Sequence, residues 1–373
     1  MRTIYINGKF TAQPTTGVQR VAGCLVAALD DALVEQPRCT EARWVLLCPA
    51  FGLKPDLRRI EVRVAGPRWG GLALWEQVVL PLACRGSLLI CLSGSAPAAQ
   101  SGLVCMLHDA AVFDTPQAYT RVFVAWYRFL FKRLARTAAL IVTVSEHSRQ
   151  RLAHWLKVSP SRIAVVPNGA DHLHACEADS TVLARLGLQK SAPYFLVVGS
   201  PSANKNHGAI VQAFEAIADD HGAWLVLVGG GNPSVFRSAG HDGQAPAGKQ
   251  ISTGRVTDQE LKALYANAVA LVFPSRVEGF GLPPLEAMWC GCPVIASDRA
   301  ALPEVCGDAA LYVDGDRVDD IAAAMRRTLE DPDLRQRLRD SGLRRARLFT
   351  WRDSASALLT QLAGAQLVDA GQP

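Results

Sequence analysis

Short apolar runs rich in β-branched residues alternate along the whole chain with longer segments in which apolar residues recur at helical spacing. The first kind of segment predicts strands and the second predicts helices. In the first half, the strands are predicted over 3–6, 44–47, 88–92, 103–107, 140–144 and 163–166, and the helices over 18–30, 119–136 and 146–155. In the second half, the strands are predicted over 194–198, 224–228, 269–273, 293–296 and 310–313, and the helices over 206–218, 258–266, 284–290 and 318–329. This alternation is typical of parallel sheets covered by helices, so the sequence predicts an α/β fold.

A chain of 373 residues suits two domains better than one. A polar stretch without an apolar stripe, over 172–181, separates two similar α/β halves. We therefore predict an N-terminal doubly wound domain over 1–175 and a C-terminal one over 176–345. A helix within 346–373 is predicted to pack back toward the N-terminal domain, and 237–250 is predicted to be a loop. Because ligands of such sheets bind outside the carboxyl ends of the strands, we expect the chemistry just after strands, in a cleft between the domains.

Composition limits the class of protein. With 49% hydrophobic and 20% charged residues, the chain has the composition of a globular protein, and no apolar run reaches the length of a membrane span. The first residues predict a buried strand rather than a leader, so we expect a cytoplasmic protein. The ten cysteines lie mostly in apolar segments, as buried thiols do in a reducing compartment. Cys290 and Cys292 have no second pair at zinc spacing, so we predict no metal site.

Charge is unevenly distributed along the chain. Residues 1–175 carry 20 Lys/Arg and 11 Asp/Glu, a net charge of +9, whereas residues 176–373 carry 19 and 23, a net charge of −4. A basic first half suits an anionic acceptor or a membrane surface, although a solvated face without a partner has the same composition.

The most distinctive segment, 274–287, follows the predicted strand over 269–273 and contains Glu278, two glycines, two prolines and Glu286. Glycine lets a backbone approach a ligand closely, and proline suits the first turn of a helix. Free backbone N–H groups and the helix dipole would then form a cradle for a diphosphate. The residues of this predicted cradle are Gly279, Phe280, Gly281 and Leu282. Glu286 would reach a ribose diol and Glu278 would face a sugar; alternatively, Glu286 caps the helix and Glu278 is a solvated loop charge.

The segment resembles the E-x7-E signature of the retaining glycosyltransferases of family 4, which have the GT-B fold of two Rossmann-like domains. Three further stretches resemble that family in the same order: 166–171, 198–206 and 253–258. Together they cover most of residues 160–330. The resemblance implies a GT-B fold with an interdomain cleft, a nucleotide-sugar co-substrate and no required metal or other cofactor. Ser200 departs from the family, many of whose members have arginine there. This departure places more of the phosphate binding on Lys205 and on backbone N–H groups.

Individual roles follow from this resemblance. Gly254, Arg255 and Val256 would lie beside the nucleotide base, and Asn168 on the acceptor side. Lys205 also makes sense without the resemblance, as a cation opposite a diphosphate that gains charge while the sugar bond breaks. A lysine at a helix start lies at the unfavourable end of the dipole, which favours a functional role over a surface one.

The first half resembles bacterial polysaccharide-building members of the family. Asn7-Gly8-Lys9-Phe10 followed by 16–20 resembles their N-terminal loop, which implies that Gly17 lies near the donor phosphates or the transferred sugar. Leu107-His108-Asp109-Ala110 resembles their acceptor-side loop. His108 could contact the transferred sugar or the acceptor hydroxyl and relay a proton, although a histidine at a strand end is commonly structural. Asp109 is equally plausible as a cap for the next turn.

Two further patterns leave alternatives open. The segment 121–136 interleaves aromatic and basic residues, which suits contact with an anionic bilayer, although helical projection spreads the aromatics and some could be core. No nucleic-acid-binding motif accompanies this charge, so we predict no nucleic-acid partner. Asp314-Gly315-Asp316 matches the D-x-D pattern by which another transferase fold binds manganese, but glycine after a short strand predicts a turn.

These patterns lead to one functional hypothesis. We expect a retaining glycosyltransferase that moves a hexose, with mannose from GDP-mannose favoured, to a lipid-linked oligosaccharide for exopolysaccharide or O-antigen, in the cytoplasm or at the inner face of its membrane. The predicted catalytic residues are Glu278, Lys205 and His108. The alternatives are a nucleotide-sugar epimerase or phosphorylase of the same fold, and a non-catalytic nucleotide-sugar-binding protein.

Overall fold

A computed structural model describes residues 2–35, 42–68, 71–188, 192–218, 222–230 and 249–368. All but the last two residues of the predicted loop over 237–250 lie outside these ranges. The chain divides into two compact units. Unit 1 comprises Met1–Ala110, Ala125–Gly169 and Thr350–Pro373, and unit 2 comprises Ala111–Val124 and Ala170–Phe349. The units therefore divide after residues 169 and 349. The sequence predicted divisions after residues 175 and 345. The assignment of Ala111–Val124 to unit 2 was not predicted.

Unit 1 is built on a parallel seven-stranded sheet in the order β3-β2-β1-β4-β5-β6-β7. Its strands are β1 (Thr3–Asn7), β2 (Arg43–Pro49), β3 (Glu61–Ala65), β4 (Leu88–Cys91), β5 (Val104–Met106), β6 (Leu140–Thr143) and β7 (Ile163–Val165). The chain runs outward from β1 to β3, crosses back to β4 on the other side of β1, and continues outward from there. The strand order therefore changes direction between β1 and β4.

Helices cover this sheet. They are α1 (Gly17–Glu35), α2 (Leu72–Leu74), α3 (Leu80–Ala83), α5 (Arg121–Thr137, which starts in unit 2), α6 (Glu146–Leu156) and α14 (Trp351–Gly364), with a π-helical turn at Trp75–Val79 between α2 and α3. The last helix, α14, packs on α1, and the hydroxyl of Ser354 donates to the carbonyl of Pro167 at 2.6 Å. A Cβ on Gly169 would lie 2.2 Å from the backbone N of Trp351, so only glycine fits where α14 begins.

Unit 2 is built on a parallel six-stranded sheet in the order β10-β9-β8-β11-β12-β13. Its strands are β8 (Tyr194–Val198), β9 (Trp224–Val228), β10 (Gln250–Gly254), β11 (Ala270–Phe273), β12 (Val294–Ser297) and β13 (Leu311–Val313). Its helices are α4 (Ala111–Asp114), α7 (Thr181–Arg185), α8 (His207–Glu215), α9 (Asp258–Asn267), α10 (Leu282–Trp289), α11 (Leu302–Cys306), α12 (Val318–Glu330) and α13 (Pro332–Ala346). Apolar side chains of β8, β11, α8 and α12 form one buried core cluster.

The predicted α/β class and the two doubly wound parallel sheets are confirmed, and each predicted strand is present with ends shifted by a residue or two. The two strands that the sequence did not predict, β3 and β10, are the edge strands of their sheets. None of their residues is buried. An edge strand needs no continuous apolar run, so the periodicity signal is weak there.

Within the described ranges, no helix combines the length and the apolar character that crossing a membrane requires.

The close approach of Gly229 to Gly199, at the carboxyl ends of β9 and β8, gives a stability prediction. Gly229, which follows β9, has φ of +137°, and a Cβ there would lie 2.3 Å from the carbonyl oxygen of Gly199, which follows β8. We expect Gly229→Ala to lower the free energy of unfolding by at least about 1–3 kcal/mol, because it adds a strained φ to a backbone clash. Gly208→Ala in α8 is the control, because among the described residues a Cβ on Gly208 meets no atom within 4 Å. Urea unfolding that gave equal midpoints for both variants would contradict this account.

Candidate active site

The strand order of the second sheet changes direction between β8 and β11. Ligands of doubly wound sheets bind at such a point, outside the carboxyl ends of the strands. Lys205 and Glu278 lie in the segments that follow these two strands. The Lys205 ammonium is 2.6 Å from Oε1 of Glu278, and it lies 4.6 Å from the centre of the ring of Phe273, the last residue of β11. The structure therefore brings together two of the three predicted catalytic residues.

Hydrogen bonds between loops fix the backbone of the segments that carry Lys205 and Glu278. The backbone N–H of Arg276 donates to the carbonyl of Asn204 at 2.9 Å, which joins the loop after β11 to the loop after β8. Asn206 has the left-handed conformation, with φ of 56°. Its side-chain amide donates to the carbonyl of Gly315 in the loop after β13. With both loops tied down, side-chain rotation is the simplest way to separate the two charges.

The predicted turn at Asp314-Gly315-Asp316 is present, and both of its carboxylates accept hydrogen bonds from arginines. The backbone N–H of Asp316 donates to Asp314 at 3.1 Å. Arg276 donates to Asp316 at 2.7 Å, and Arg299 donates to Asp314 at 2.8 Å. Hydrogen bonds from Arg276 first, and then from Arg299, lower the pKa of the Asp316 carboxyl group. Among the residues that the structure describes, no group of three or more His, Cys, Asp or Glu side chains could hold a metal ion.

Glu286 lies in the middle of α10 and is buried. Its Oε2 accepts a hydrogen bond from the hydroxyl of Tyr265 in α9 at 3.1 Å. Its Oε1 lies 3.1 Å from Nε2 of His172. The first turn of α10 contains no acidic residue, so Glu286 is not the helix cap of the alternative interpretation. The carboxylate is instead held between two other elements of unit 2.

The predicted diphosphate cradle is a turn anchored by buried side chains. Phe280 and Leu282 are buried, and the Phe280 ring packs edge-on against Phe349 with centres 5.8 Å apart. Gly281 precedes α10 with φ of +104°, and a Cβ there would lie 2.7 Å from the side chain of Leu302. The backbone from Gly279 to the helix start is therefore fixed by the packing of its own side chains on the interior of unit 2.

The residues predicted to lie beside a nucleotide base end the edge strand β10. Gly254 closes that strand with φ of +66°, and its carbonyl accepts a hydrogen bond from the N–H of Gly229 at 2.9 Å. Arg255 is exposed and Val256 is half-buried. A capping box at Thr257 then starts α9. These residues share the carboxyl edge of the sheet with Lys205 and Glu278, two strands away from β8.

In unit 1, a buried polar cluster lies where the strand order of the first sheet changes direction. Asn7 ends β1, and its amide donates to Oε1 of Glu76 at 2.9 Å. The Lys9 ammonium is 2.7 Å from Oε2 of Glu76, and the two side chains are only 12% and 3% exposed. Ser95 accepts from Lys9 at 3.1 Å and donates to Glu76 at 2.7 Å. This cluster joins the ends of β1 and β4 to the π-helical turn.

Sequence reasoning did not identify Glu76 or its link to Lys9. One signal was available, because Glu76 is the only charged residue in the apolar segment 71–84. A buried charge is retained only where it is paired. Its partner lies in a motif that the sequence did single out, but nothing local connects the two residues.

His108 lies just beyond β5, and its role as a proton donor is limited by its surroundings. Its Nε2 is 2.9 Å from the carbonyl oxygen of Leu92, so Nε2 carries the proton and donates. Burial lowers its pKa to about 4, a shift that the bond to Leu92 opposes. The neutral ring therefore leaves Nδ1 as an acceptor near neutral pH.

The remaining predicted residues of unit 1 are Asp109, Asn168 and Gly17. Asp109 is half-buried directly after His108, and Asn168 is buried next to the glycine against which α14 begins. Gly17 starts α1, and a Cβ on it would meet no atom of the described part of the chain within 4 Å. The fold of unit 1 therefore does not require glycine at position 17.

Two family models match the chain. "Glycosyl transferases group 1" matches residues 180–345, and "Glycosyltransferase Family 4" matches residues 79–172. Among curated relatives, an O-antigen chain mannosyltransferase B of Escherichia coli is 28% identical over 267 residues, which are 66% of this chain and 66% of that protein. An MMP α-(1→4)-mannosyltransferase of Mycolicibacterium hassiacum is 33% identical over 242 residues, 62% of this chain and 56% of that protein. The matches thus span just under two thirds of the first relative and little more than half of the second.

Solved structures agree with the fold. Sucrose-phosphate synthase from Thermosynechococcus elongatus superposes with a TM-score of 0.73 at 21% identity, covering 98% of this chain and 99% of that one. Its similarity supports the predicted GT-B fold, in which two Rossmann-like domains are joined.

The buried pair of Lys9 and Glu76 gives a second stability prediction. We expect Glu76→Gln to lower the free energy of unfolding by about 3–5 kcal/mol, because it leaves a buried ammonium without its counter-charge. The control is Glu61→Gln, which removes ion pairs to Arg43 and Arg63, all three side chains being at least 40% exposed. That change should cost no more than about 1 kcal/mol. If urea unfolding showed equal losses for both variants, the Lys9–Glu76 pair would not be a buried structural pair.

Proposed function

We propose that this chain, which belongs to the glycosyltransferases of group 1 and family 4, transfers a hexose from a nucleotide-sugar to a lipid-linked oligosaccharide in exopolysaccharide or O-antigen synthesis. The observation that carries the proposal is the Lys205–Glu278 pair at the point where the second sheet changes direction. Mannose from GDP-mannose is the favoured donor, because both relatives described above are named as mannosyltransferases.

In this proposal, the diphosphate of the donor replaces Glu278 as the partner of Lys205. The ammonium then faces the oxygen that gains negative charge as the bond from the sugar to the phosphate breaks, which stabilises the transition state more than the ground state. Glu278, released from Lys205, accepts hydrogen bonds from hydroxyls of the sugar and orients it. Retention follows if the acceptor attacks from the face that the diphosphate leaves, with the departing diphosphate taking the acceptor proton.

Other residues would bind the rest of the two substrates. The backbone from Gly279 to Leu282 lies beside the phosphates, Glu286 binds the ribose, and the segment from Gly254 to Val256 lies beside the base. His108 contributes its Nδ1 acceptor to a sugar or acceptor hydroxyl, with Asp109 and Asn168 on the acceptor side. Gly17 leaves room for the donor, because no atom of the residues that the structure describes would lie within 4 Å of a Cβ on it. We propose that transfer requires no metal ion or other cofactor.

We also propose that α5 holds unit 1 on an anionic membrane surface, where a lipid-linked acceptor is found. The helix carries five Lys or Arg residues and no carboxylate. The sequence left open whether its aromatic side chains lie in the core or face a bilayer, and the helix contains both kinds. Phe131 is buried in the core, whereas Trp126 and Phe129 are 39% and 55% exposed. Exposed aromatics beside cations suit the boundary between headgroups and acyl chains.

A second exposed apolar row in unit 1 supports the same assignment. Leu74, Val78 and Leu82 are spaced four residues apart across α2, the π-helical turn and α3, and they are 49%, 45% and 67% exposed. Large apolar side chains exposed in succession are uncommon on a surface that meets only water.

The donor site is tested with two variants, of which only the first is expected to weaken nucleotide binding. Lys205→Ala should weaken binding of GDP and lower the rate of transfer by about 10²–10³-fold, because it removes the cation opposite the diphosphate. Glu278→Gln should lower transfer but leave GDP binding intact, since Lys205 no longer has a competing carboxylate. Lys54→Ala, at an exposed position in unit 1, is the control. The measurements are thermal stabilisation by GDP-, UDP- and dTDP-sugars and the transfer of labelled hexose to lipid-linked acceptor.

Three outcomes would contradict the proposal. Unchanged transfer in both variants would remove Lys205 and Glu278 from the site. Conversion of the labelled donor without acceptor would indicate an epimerase, and donor binding without any turnover would indicate a non-catalytic binding protein.

Membrane contact is tested by sedimentation with vesicles of phosphatidylglycerol or of phosphatidylcholine. We expect binding to the anionic vesicles, weakened by salt, and a loss of at least about tenfold in the double variant Trp126→Ser, Phe129→Ser, because two apolar side chains no longer enter the bilayer. Leu348→Ser is the matched control, since Leu348 is 64% exposed in unit 2. Equal binding by both variants, or equal binding to both lipids, would contradict the proposal.

A further inference from the structure

The surroundings of Glu286 suggest more than a ligand-binding carboxylate. Glu286 is 4% exposed and Tyr265 is fully buried, and the Tyr265 hydroxyl donates to Oε2 of Glu286 at 3.1 Å. His172 places Nε2 3.1 Å from Oε1 on the other side, although the ring is not aligned for a hydrogen bond at that distance. The carboxylate is therefore approached by polar groups from two other elements.

We propose that Tyr265 and His172 are positioning residues that hold Glu286 in the orientation in which it accepts hydrogen bonds from the ribose diol of the nucleotide. The inference rests on the proposed function, because it assumes that a nucleotide binds beside Glu286. It assigns roles to two residues that the sequence motifs did not single out.

Tyr265 is a fixed hydrogen-bond donor to Glu286. Burial, and then the neighbouring Glu286, raise the pKa of its hydroxyl well above the usual range. The hydroxyl therefore keeps its proton and always donates to the carboxylate. A carboxylate has about four lone-pair sites, so this bond leaves acceptor capacity for a diol.

The elements that carry Tyr265 and His172 are held in place by their own contacts. Tyr265 lies in α9, whose start is fixed by the reciprocal hydrogen bonds of Thr257 and Glu260. His172 lies in a short 3-10 turn, Asp171–Leu173, which packs on α10 and α9. A glutamate side chain has three rotatable bonds, and contacts on both oxygens select one of its many conformations. Holding that conformation before binding removes an entropic cost from ribose recognition.

A positioning role and simple structural support predict different effects of Tyr265 on ligand binding. If Tyr265 only supports the fold, its hydroxyl should affect every ligand equally. If it positions Glu286, its loss should affect only ligands that carry the ribose hydroxyls. The ribose hydroxyls of the ligand are therefore the probe.

The experiment measures Kd by calorimetry for GDP and 2′,3′-dideoxy-GDP, and for the corresponding pair of uridine nucleotides. Wild-type protein should bind the ribonucleotide at least about tenfold more tightly than the dideoxy form. In Tyr265→Phe, the Kd of the ribonucleotide should rise about tenfold, while the Kd of the dideoxy form should change less than twofold. His172→Ala should lose part of the same discrimination, because it removes the ring that lies against Oε1 of Glu286.

Tyr194→Phe is the matched control. Tyr194 is also buried, and its hydroxyl donates to the carbonyl of Leu264, the residue before Tyr265, at 2.6 Å. It should lower stability without changing the preference for ribose. Equal weakening of both nucleotides in Tyr265→Phe would overturn the positioning role and leave the proposed function standing. Failure of every nucleotide to bind the wild-type protein would overturn the proposed function itself.

Discussion

A charged group that is taken out of water must be paired, and this requirement governs the carboxyl edges of both sheets. In an all-parallel sheet every strand ends at the same edge, so the loops that carry polar residues are gathered there. Lys205 and Glu278 meet after β8 and β11, and Lys9 and Glu76 meet beside the ends of β1 and β4. Each pair stands where its sheet changes direction. The same topology that creates room for a ligand therefore also creates the need for compensating charges.

Backbone geometry makes these pairings possible, because the loops must approach one another closely. Gly229 and Gly199 lie so close that a side chain on the first would meet the backbone of the second. The N–H of Arg276 then ties the loop after β11 to the loop after β8, and the amide of Asn206 ties the loop after β8 to the loop after β13. Arg299 and Arg276 donate hydrogen bonds to Asp314 and Asp316 in the loop after β13. The functional side chains are thus carried by a rigid assembly of strand ends.

Sequence reasoning was successful where the signal was local and continuous. The buried strands such as β8 and β11 are apolar throughout, and the segment from Glu278 to Glu286 carries its glycines, prolines and carboxylates within nine residues. The resemblance to the family is confirmed by the matching family models. The edge strands β3 and β10 were missed because half-exposed strands carry no apolar run.

Contacts between distant parts of the chain were beyond the reach of sequence patterns. Glu76 pairs with a lysine 67 positions away, and Glu286 is held by a tyrosine 21 positions before it. No periodicity or motif encodes such a pair, since it depends on how helices and turns pack on the sheet. The sequence therefore predicted that Glu286 could contact a ligand but not which residues hold its carboxylate.

The two Lys–Glu pairs show how similar chemistry can support different roles. At Lys9 and Glu76, neutral hydrogen bonds from Asn7 and Ser95 also satisfy the carboxylate, and the lysine is only 12% exposed. Replacing any member would leave a buried group without a partner, so that pair resists exchange. At Lys205 and Glu278 the side chains are 20% and 12% exposed, and the ammonium faces an aromatic ring on one side. A diphosphate offers the ammonium more negative charge than one carboxylate does, and the released carboxylate can turn to sugar hydroxyls. The satisfied pair therefore suits a structural role, and the less completely satisfied pair suits exchange with a ligand.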